Sequence, residues 1–215
     1  MGRIVVHDSL TLDGVMQAPG SPDEDRRGGF TRGGWAQPYF DDVIARIAND
    51  GMAKGGAMLF GRRTYEQFAS FWPKQPDDDP FAAVLNGRQK YVASRTLEEP
   101  LPWANSTLLR GEATGSVARL KREVEDDLVI LGSGELTRSL MAQGLIDRYT
   151  LLIHPVILGS GRRLFAADGA FTALQLISTA TSTTGVLIAT YEPADRATVG
   201  TDGSASEPQA SPSAT

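Results

Sequence analysis

The sequence predicts a three-layer α/β fold, in which helices cover both faces of a mostly parallel central sheet and antiparallel strands follow at the C-terminal end. Short β-branched runs alternate with segments of helical spacing, a pattern typical of parallel strands joined by helices. The last part of the chain instead holds two β-rich segments around Gly185, which predict an antiparallel hairpin. Hydrophobic residues make up 41% of the 215 residues, enough for a sizeable core.

The first half of the chain predicts two strands and two helices. One helix has Val43, Ile44 and Ile47 on one face, together with Phe40, and the other has Tyr65 and Phe68. The predicted elements are a strand at 3–10, a loop at 21–29, a helix from Tyr39 with Pro38 in its first turn, a strand at 56–61, a helix over "RTYEQFASFW" that Pro73 ends, and a loop at 73–80.

The second half continues the alternation up to the final hairpin. Its elements are strands at 90–94 and 106–110, a helix at 115–125 behind a Ser116 cap, a strand at 128–131 with a helix after it, and a long strand at 147–158. Residues 1–193 form the predicted globular domain. Residues 194–215 hold one large aliphatic residue, Val199, so we predict that this tail is disordered.

Composition excludes several classes of function. The chain has no cysteine, which excludes disulfides, thiolate metal sites and a cysteine nucleophile. A formal net charge of −5 gives no basic bulk for nucleic acid. No apolar run approaches the roughly 20 residues of a membrane span, and the N-terminal run is too short for a signal peptide. We therefore predict a cytoplasmic protein with no metal, nucleic-acid or membrane partner.

The stretch "LVILGSGELTRSL" at 128–140 predicts a strand, a glycine turn and the start of a helix. Gly132 and Gly134 allow the backbone to approach a ligand, and the helix start offers free N–H groups. The dinucleotide fingerprint G-x-G-x-x-G is incomplete, because Thr137 occupies the sixth position and the motif lies late in the chain. Either a phosphate site or a tight turn that needs glycine for its geometry fits this motif alone.

Two further strand ends offer groups that bind anions. Arg62, Arg63 and Thr64 open a helix, where unpaired cations oppose the helix dipole unless an anion is bound. "YVASRTL" at 91–97 places more hydroxyl and guanidinium groups after a strand, although a simple polar loop would look the same. Ligands of parallel sheets lie across the carboxyl ends of the strands, so the three ends together predict one extended ligand with several phosphates. NADPH fits, because arginine favours its 2′-phosphate.

Several stretches resemble one family. They are "SLTLDG" at 9–14, "LFGRRTYEQFASFWP" at 59–73, "YVASRTL", the block from Val129 to Phe165, and the final β-rich segments. In order and spacing, the chain resembles the dihydrofolate-reductase-like superfamily, in the branch of the reductase domain of bifunctional riboflavin-biosynthesis proteins. Two positions depart from relatives of that superfamily. Ala45 aligns with the folate-facing acid, and Leu131 stands where riboflavin-pathway reductases carry an acid.

The resemblance implies an NADPH-dependent reductase of a small heterocyclic substrate, similar to 5-amino-6-(5-phosphoribosylamino)uracil reductase, and a homodimer. Dihydrofolate reduction, or nucleotide or flavin binding without turnover, are the alternatives. Under this resemblance Arg62, Arg63 and Thr64 would lie at the cofactor phosphates, and Ser94 and Arg95 near the 2′-phosphate. The full set implied for the cofactor is Gly61, Arg62, Arg63, Thr64, Ser94, Arg95, Thr96, Gly132, Ser133, Gly134, Glu135 and Leu136.

The substrate side has fewer candidates. Asp13, in "TLDG", is the candidate catalytic polar group on the substrate side, and an Asp-Gly turn is its alternative use. Asp41 serves either the substrate or the start of a helix. Trp35 belongs either to an aromatic wall for a planar heterocycle or to the core. His154, on an apolar strand, is predicted to be a core histidine.

Overall fold

The strands of the described part of the chain join in one sheet. The computed structural model describes residues 1–53, 55–76, 78–165, 169 and 171–194. Within these residues the strands are β1 (Ile4–Thr11), β2 (Ala57–Gly61), β3 (Lys90–Ala93), β4 (Ser106–Leu109), β5 (Leu128–Leu131), β6 (Arg148–His154), β7 (Leu174–Thr181) and β8 (Leu187–Pro193). Their order across the sheet is β4-β3-β2-β5-β1-β6-β8-β7. The helices are α1 (Asp42–Ala53), α2 (Arg62–Phe71), α3 (Pro80–Gly87), α4 (Ala113–Glu123) and α5 (Gly134–Ala142).

The sheet is parallel except at its C-terminal end. β1 pairs in parallel with β5 on one side and with β6 on the other. β8 then pairs antiparallel with β6 and with β7. The predicted α/β fold with C-terminal antiparallel strands is therefore confirmed.

Alternation along each strand sends side chains to two separate cores. Ile4 and Val6 of β1 point to the face where Leu140 of α5 packs. Met58 and Phe60 of β2 point to the opposite face, into the core that contains Tyr65 of α2 and Leu85 of α3. The sheet is therefore covered on both sides, as its apolar strands require.

Helix boundaries differ from the predictions at three places. α1 begins at Asp42, because the carboxylate of Asp41 accepts the N–H of Ile44, and Pro38 lies in a separate 3-10 turn. α4 is capped by Glu112, which accepts the N–H groups of Thr114 and Gly115, while Ser116 lies inside the helix.

The third difference is α3, which the sequence analysis missed. Asp79 caps this helix through the N–H groups of Phe81 and Ala82, and Pro80 occupies its first position. Strand β6 is shorter than predicted and ends at His154, before Pro155. Of the predicted tail, 195–215 lies outside the described residues. Within the described residues, no helix has both the length and the apolarity to cross a membrane.

Candidate active site

A cleft of about 1050 Å³ opens at the carboxyl ends of β2, β3 and β5 and beside the second half of β1. The segments that line it are 61–64, 93–96 and 131–136 at the three strand ends and 7–9 within β1. All of the residues predicted for the cofactor therefore lie on one cavity. The sheet order explains why, since β3, β2, β5 and β1 are successive neighbours.

Two helix N-termini meet at the middle of this cleft. A Cβ built on Gly132 would lie 3.7 Å from Cγ2 of Thr64, so the start of α5 adjoins the start of α2. The Ser133 hydroxyl accepts the N–H of Gly61 at 3.1 Å and fixes the two turns to each other. The first helical hydrogen bond of α5 runs from Thr137 N–H to the Ser133 carbonyl, so the N–H groups of the preceding turn point into the cleft.

The glycines of the turn let other segments approach its backbone closely. Gly132 has φ of +66° and Ser133 has φ of +57°, so two consecutive residues adopt the left-handed conformation. A Cβ on Gly134 would lie 2.4 Å from Sδ of Met16, which shows how closely the loop after β1 approaches α5. The combination of free N–H groups and missing side chains suits a phosphate.

Glu135 links the two cationic sides of the cleft mouth. Its Oε1 atom lies 3.1 Å from Nη1 of Arg63 in α2 and 3.2 Å from Nη1 of Arg162, which follows β6. All three side chains are largely exposed, so these ion pairs contribute little to stability. Both guanidinium groups can therefore exchange the carboxylate for phosphate oxygens at small cost.

The third strand end has a different local structure. The Ser94 hydroxyl accepts the N–H groups of Thr96 and Leu97, so it is used within its own turn. Arg95 and Thr96 are exposed on the cleft wall. At this end Arg95 is thus the group available to an additional phosphate.

The structure places Asp13 in a loop and not on the cleft wall. Its carboxylate accepts the hydroxyl of Thr11 at 2.6 Å and the N–H groups of Leu158 and Gly159. The Thr11 hydrogen bond is the main reason why the pKa of Asp13 falls to about 2. An ionised carboxylate held in this way organises the turns after β1 and β6.

Asp41 and Trp35 also lie outside the cleft lining. Asp41 caps α1 and accepts the N–H and hydroxyl of Thr183. Trp35 donates its indole N–H to the Gln17 carbonyl at 2.8 Å and packs edge-on against His154. Both residues join the loop over 12–41 to the rest of the domain.

Among the described residues the acids that line the cleft are Asp8, Glu24, Asp25 and Glu135, and only Glu135 was predicted. The most buried of the acids that sequence reasoning missed is Asp8. Asp8 is 6% exposed, and its Oδ2 atom has no hydrogen-bond partner among the described residues. Burial raises the pKa of Asp8 to about 8, and the carboxylate of Glu24 adds to the rise. One signal was available, because an aspartate within the apolar run "IVVHDSL" is unusual for a strand.

One wall of the cleft is apolar. Helix α1 contributes Ile44, Ile47 and Ala48, and β6 contributes Leu152 on the same side of the sheet. Phe68 of α2 extends this wall. The arrangement suits a flat apolar ring better than a charged group.

Comparison with known families identifies the type of domain. The model of the RibD C-terminal domain family matches residues 3–188. The chain belongs to this family. A related protein is the uncharacterized protein YyaP of Bacillus subtilis (strain 168), which is 26% identical over 199 residues, 88% of this chain and 94% of that protein.

Solved structures agree with the fold of this RibD C-terminal domain. A putative riboflavin biosynthesis protein from Shewanella sp. PV-4 has a TM-score of 0.66 and 20% identity, over 90% of this chain and 99% of that one. Dihydrofolate reductase from Enterococcus faecalis, complexed with NADP(H) and RAB-propyl, has a TM-score of 0.58 and 12% identity, over 90% and 98%. At these identities the likeness shows a dihydrofolate-reductase-like fold.

The RibD C-terminal domain described here differs in where its acid lies. Ala45 of α1 and Leu131 of β5 occupy the two positions at which the sequence resemblance would place an acid. Asp8 of β1 instead brings a carboxyl into the cleft. The scaffold is that of the family, and the buried carboxyl of this cleft comes from β1.

Proposed function

We propose that the protein is an NADPH-dependent reductase of a small heterocyclic substrate. The observation that carries this proposal is that the ends of β3, β2 and β5 present anion-binding groups to one cleft. These groups are Arg95, the N-terminus of α2 with Arg63, and the N-terminus of α5. A single phosphate would need only one of the three.

The sheet order gives the orientation of an extended dinucleotide. From β3 to β1 there are three strand spacings of about 4.8 Å, or about 14 Å in all. With the 2′-phosphate at Arg95 and the pyrophosphate between α2 and α5, the nicotinamide end reaches β1. The free N–H groups at the start of α5, next to the start of α2, fit the pyrophosphate.

Bound NADPH would supply a hydride to an unsaturated carbon of the substrate. The protein's part is to bind, orient and exclude water. Ile44, Ile47 and Leu152 would hold a flat ring at the β1 end, where apolar side chains line the cleft. The NADP(H) complex of the Enterococcus faecalis enzyme, which shares the fold, supports a nicotinamide cofactor.

Nucleotide titration tests the cofactor directly. We would follow nicotinamide fluorescence on adding NADPH or NADH to the wild type, to Arg95→Ala and to Arg122→Ala. Arg122 is exposed on α4 and lies outside the cleft lining, so its variant is the matched control. We expect Arg95→Ala to weaken NADPH binding at least tenfold and NADH binding little, because only NADPH has the 2′-phosphate.

Each outcome separates one part of the proposal. If the wild type binds neither nucleotide, the reductase assignment is wrong. Equal affinities for both would remove the inference from arginine to the 2′-phosphate. If NADPH binds but is not oxidised with pterins (dihydrofolate included), pyrimidines or quinones, non-catalytic nucleotide binding becomes the better description.

The domain assembles as a homodimer through β7 in this proposal. β7 is the edge of the sheet, and its Leu176 and Ile177 side chains are 51% and 46% exposed. A second copy would cover these apolar groups, which a monomer leaves in water. Light scattering should report one chain for Ile177→Asp, and two chains for the wild type and for Thr107→Asp, which places a charge on β4 at the opposite edge of the sheet. A monomeric wild type would overturn the assembly.

The cytoplasmic location stays a prediction.

A further inference from the structure

Asp8 lies where β1 continues beyond the end of β5. His7 pairs with Leu131, the last residue of β5, so Asp8 is the first residue of β1 to stand beside the Gly132 turn. Strand alternation puts its side chain on the same face as Val6 and Leu10, the face that α5 covers. The carboxyl therefore points into the gap between β1 and the start of α5.

Among the described residues the backbone N–H of Ser9 favours the carboxylate form of this buried acid, but no cation pairs with it. Oδ2 is buried without a hydrogen-bond partner, and no salt bridge of the described residues includes Asp8. A buried acid without a cation keeps its proton near neutral pH. Gly132, Gly134 and Met16 line the same cleft and carry no charged group that could pair with it.

The position along the sheet decides which part of a dinucleotide Asp8 would meet. It lies one strand beyond the two helix N-termini, on the side away from Arg95. The proposed function places the phosphates at those helices. The nicotinamide is therefore the part that reaches β1, and the following inference rests on that proposed function.

We propose that Asp8 contacts the nicotinamide ring and distinguishes its two redox states. The protonated carboxyl accommodates the neutral ring of NADPH, and the carboxylate stabilises the positively charged ring of NADP⁺. When NADP⁺ binds, the O–H bond at Asp8 breaks and the proton passes to solvent in the cleft. No electron moves in this step.

Other charged groups near Asp8 have their own partners. Glu24, in the loop after β1, accepts the N–H groups of Gly20 and Ser21, and burial raises its pKa. Asp25 in the same loop is paired with Arg27. Of these groups Glu24 is the one whose titration could mimic that of Asp8, so it needs a control variant.

The remaining charges belong to the opposite face or to the cleft mouth. His7 alternates with Asp8 and points to the α1 side, near Gly51. Glu135 of α5 is paired with arginines, and Arg138 of α5 donates to the Arg163 carbonyl. The arginines stay charged over the whole pH range tested.

The experiment compares two nucleotides at two pH values. Dissociation constants for NADPH and NADP⁺ are measured by calorimetry at pH 6.0 and 9.5 for the wild type, Asp8→Asn and Glu24→Gln. The ratio of the two constants cancels titration of the 2′-phosphate, which both nucleotides carry. We expect the wild-type ratio of NADP⁺ to NADPH constants to fall at least tenfold between pH 6.0 and 9.5.

The two variants separate Asp8 from its neighbours. Between pH 6.0 and 9.5 the ratio of the NADP⁺ and NADPH dissociation constants should change less than twofold in Asp8→Asn. In Glu24→Gln the same ratio should change as much as it does in the wild type. At pH 6.0–7.5 the wild type should release more protons on binding NADP⁺ than on binding NADPH, counted from buffers of different ionisation enthalpy, and this excess should be absent in Asp8→Asn. A ratio that shifts equally in wild type and Asp8→Asn overturns the inference and leaves the reductase proposal standing. Failure of both nucleotides to bind overturns both.

Discussion

His154 offers a test of the packing that is independent of any ligand. The residue is 2% exposed, and neither ring nitrogen has a hydrogen-bond partner among the described residues. Trp35 and Tyr39 meet the imidazole edge-on, with centroids at 5.2 Å and 5.7 Å. Such a ring is stable only while neutral, and burial lowers the pKa of His154 to about 4.

The sign and size of the effect follow from linkage. The unfolded chain binds a proton near pH 6.5, and the folded chain only near pH 4, so stability falls as the pH drops through this window. The difference of about 2.5 pKa units corresponds to about 3 kcal/mol, of which about 2 kcal/mol is lost by pH 5. His154→Leu removes the titrating group and keeps a similar volume.

Urea unfolding at pH 7.5, 6.5, 5.5 and 5.0 measures this difference. The free energy of unfolding of the wild type should fall by about 2 kcal/mol more than that of His154→Leu between pH 7.5 and 5.0. Because the chain has two histidines, His7→Gln is the matched control and should behave as the wild type. Parallel curves for wild type and His154→Leu would refute the assignment, as would an NMR titration in which the His154 ring gains its proton above pH 6.

Three other substitutions probe the scaffold and the floor of the cleft. Lys90→Met should lower the free energy of unfolding, measured in urea, by about 3 kcal/mol. The buried ammonium of Lys90 donates hydrogen bonds to the carbonyls of Asn86, Arg88 and Ala104 at 2.7–3.1 Å, and methionine leaves these carbonyls without a donor. An unchanged urea midpoint would contradict this prediction. Gly56→Ala should destabilise by about 3 kcal/mol, since its Cβ would lie 2.7 Å from the Asp127 carbonyl oxygen, whereas Gly55→Ala, with open space, should cost about 1 kcal/mol. Equal losses of stability in Gly56→Ala and Gly55→Ala would show that the close approach of the Asp127 carbonyl to Gly56 does not matter. Asp8→Asn should gain stability over the wild type as the pH rises from 4 to 8, by at most about 5 kcal/mol, because the folded acid holds its proton to about pH 8.

The elements that sequence reasoning placed correctly are those whose own residues determine them. β2 and β5 are short apolar runs bounded by glycine or charged residues, and both lie where periodicity puts them. Asp41 caps the start of α1 locally, but the same carboxylate also accepts the hydroxyl of Thr183, which is 142 residues away in the chain. No local pattern contains that contact.

Cofactor-side residues could be predicted to share a cleft because parallel strands end at one edge. Their detailed contacts could not. Ser133 accepts a hydrogen bond from Gly61, and Glu135 joins Arg63 to Arg162, only because strand order brings distant segments together. Residues on the substrate side were harder to predict. Asp13 belongs to a recognisable turn motif and drew attention, whereas Asp8 lies in a strand without a motif and was missed.

The Asp8→Asn substitution should increase the stability of the fold and abolish the pH-dependent preference for NADP⁺. Asparagine fills the same space and carries no charge, so a buried acid that only packs the strand should be replaced with a gain in stability and no other effect. If the carboxyl group instead interacts with the charged nicotinamide ring, its replacement should give the same gain in stability together with loss of the pH-dependent preference for NADP⁺. Loss of stability in Asp8→Asn at pH 8 would instead mean that the carboxylate has a structural partner. That result would remove the physical basis for a proton held at the floor of the cleft.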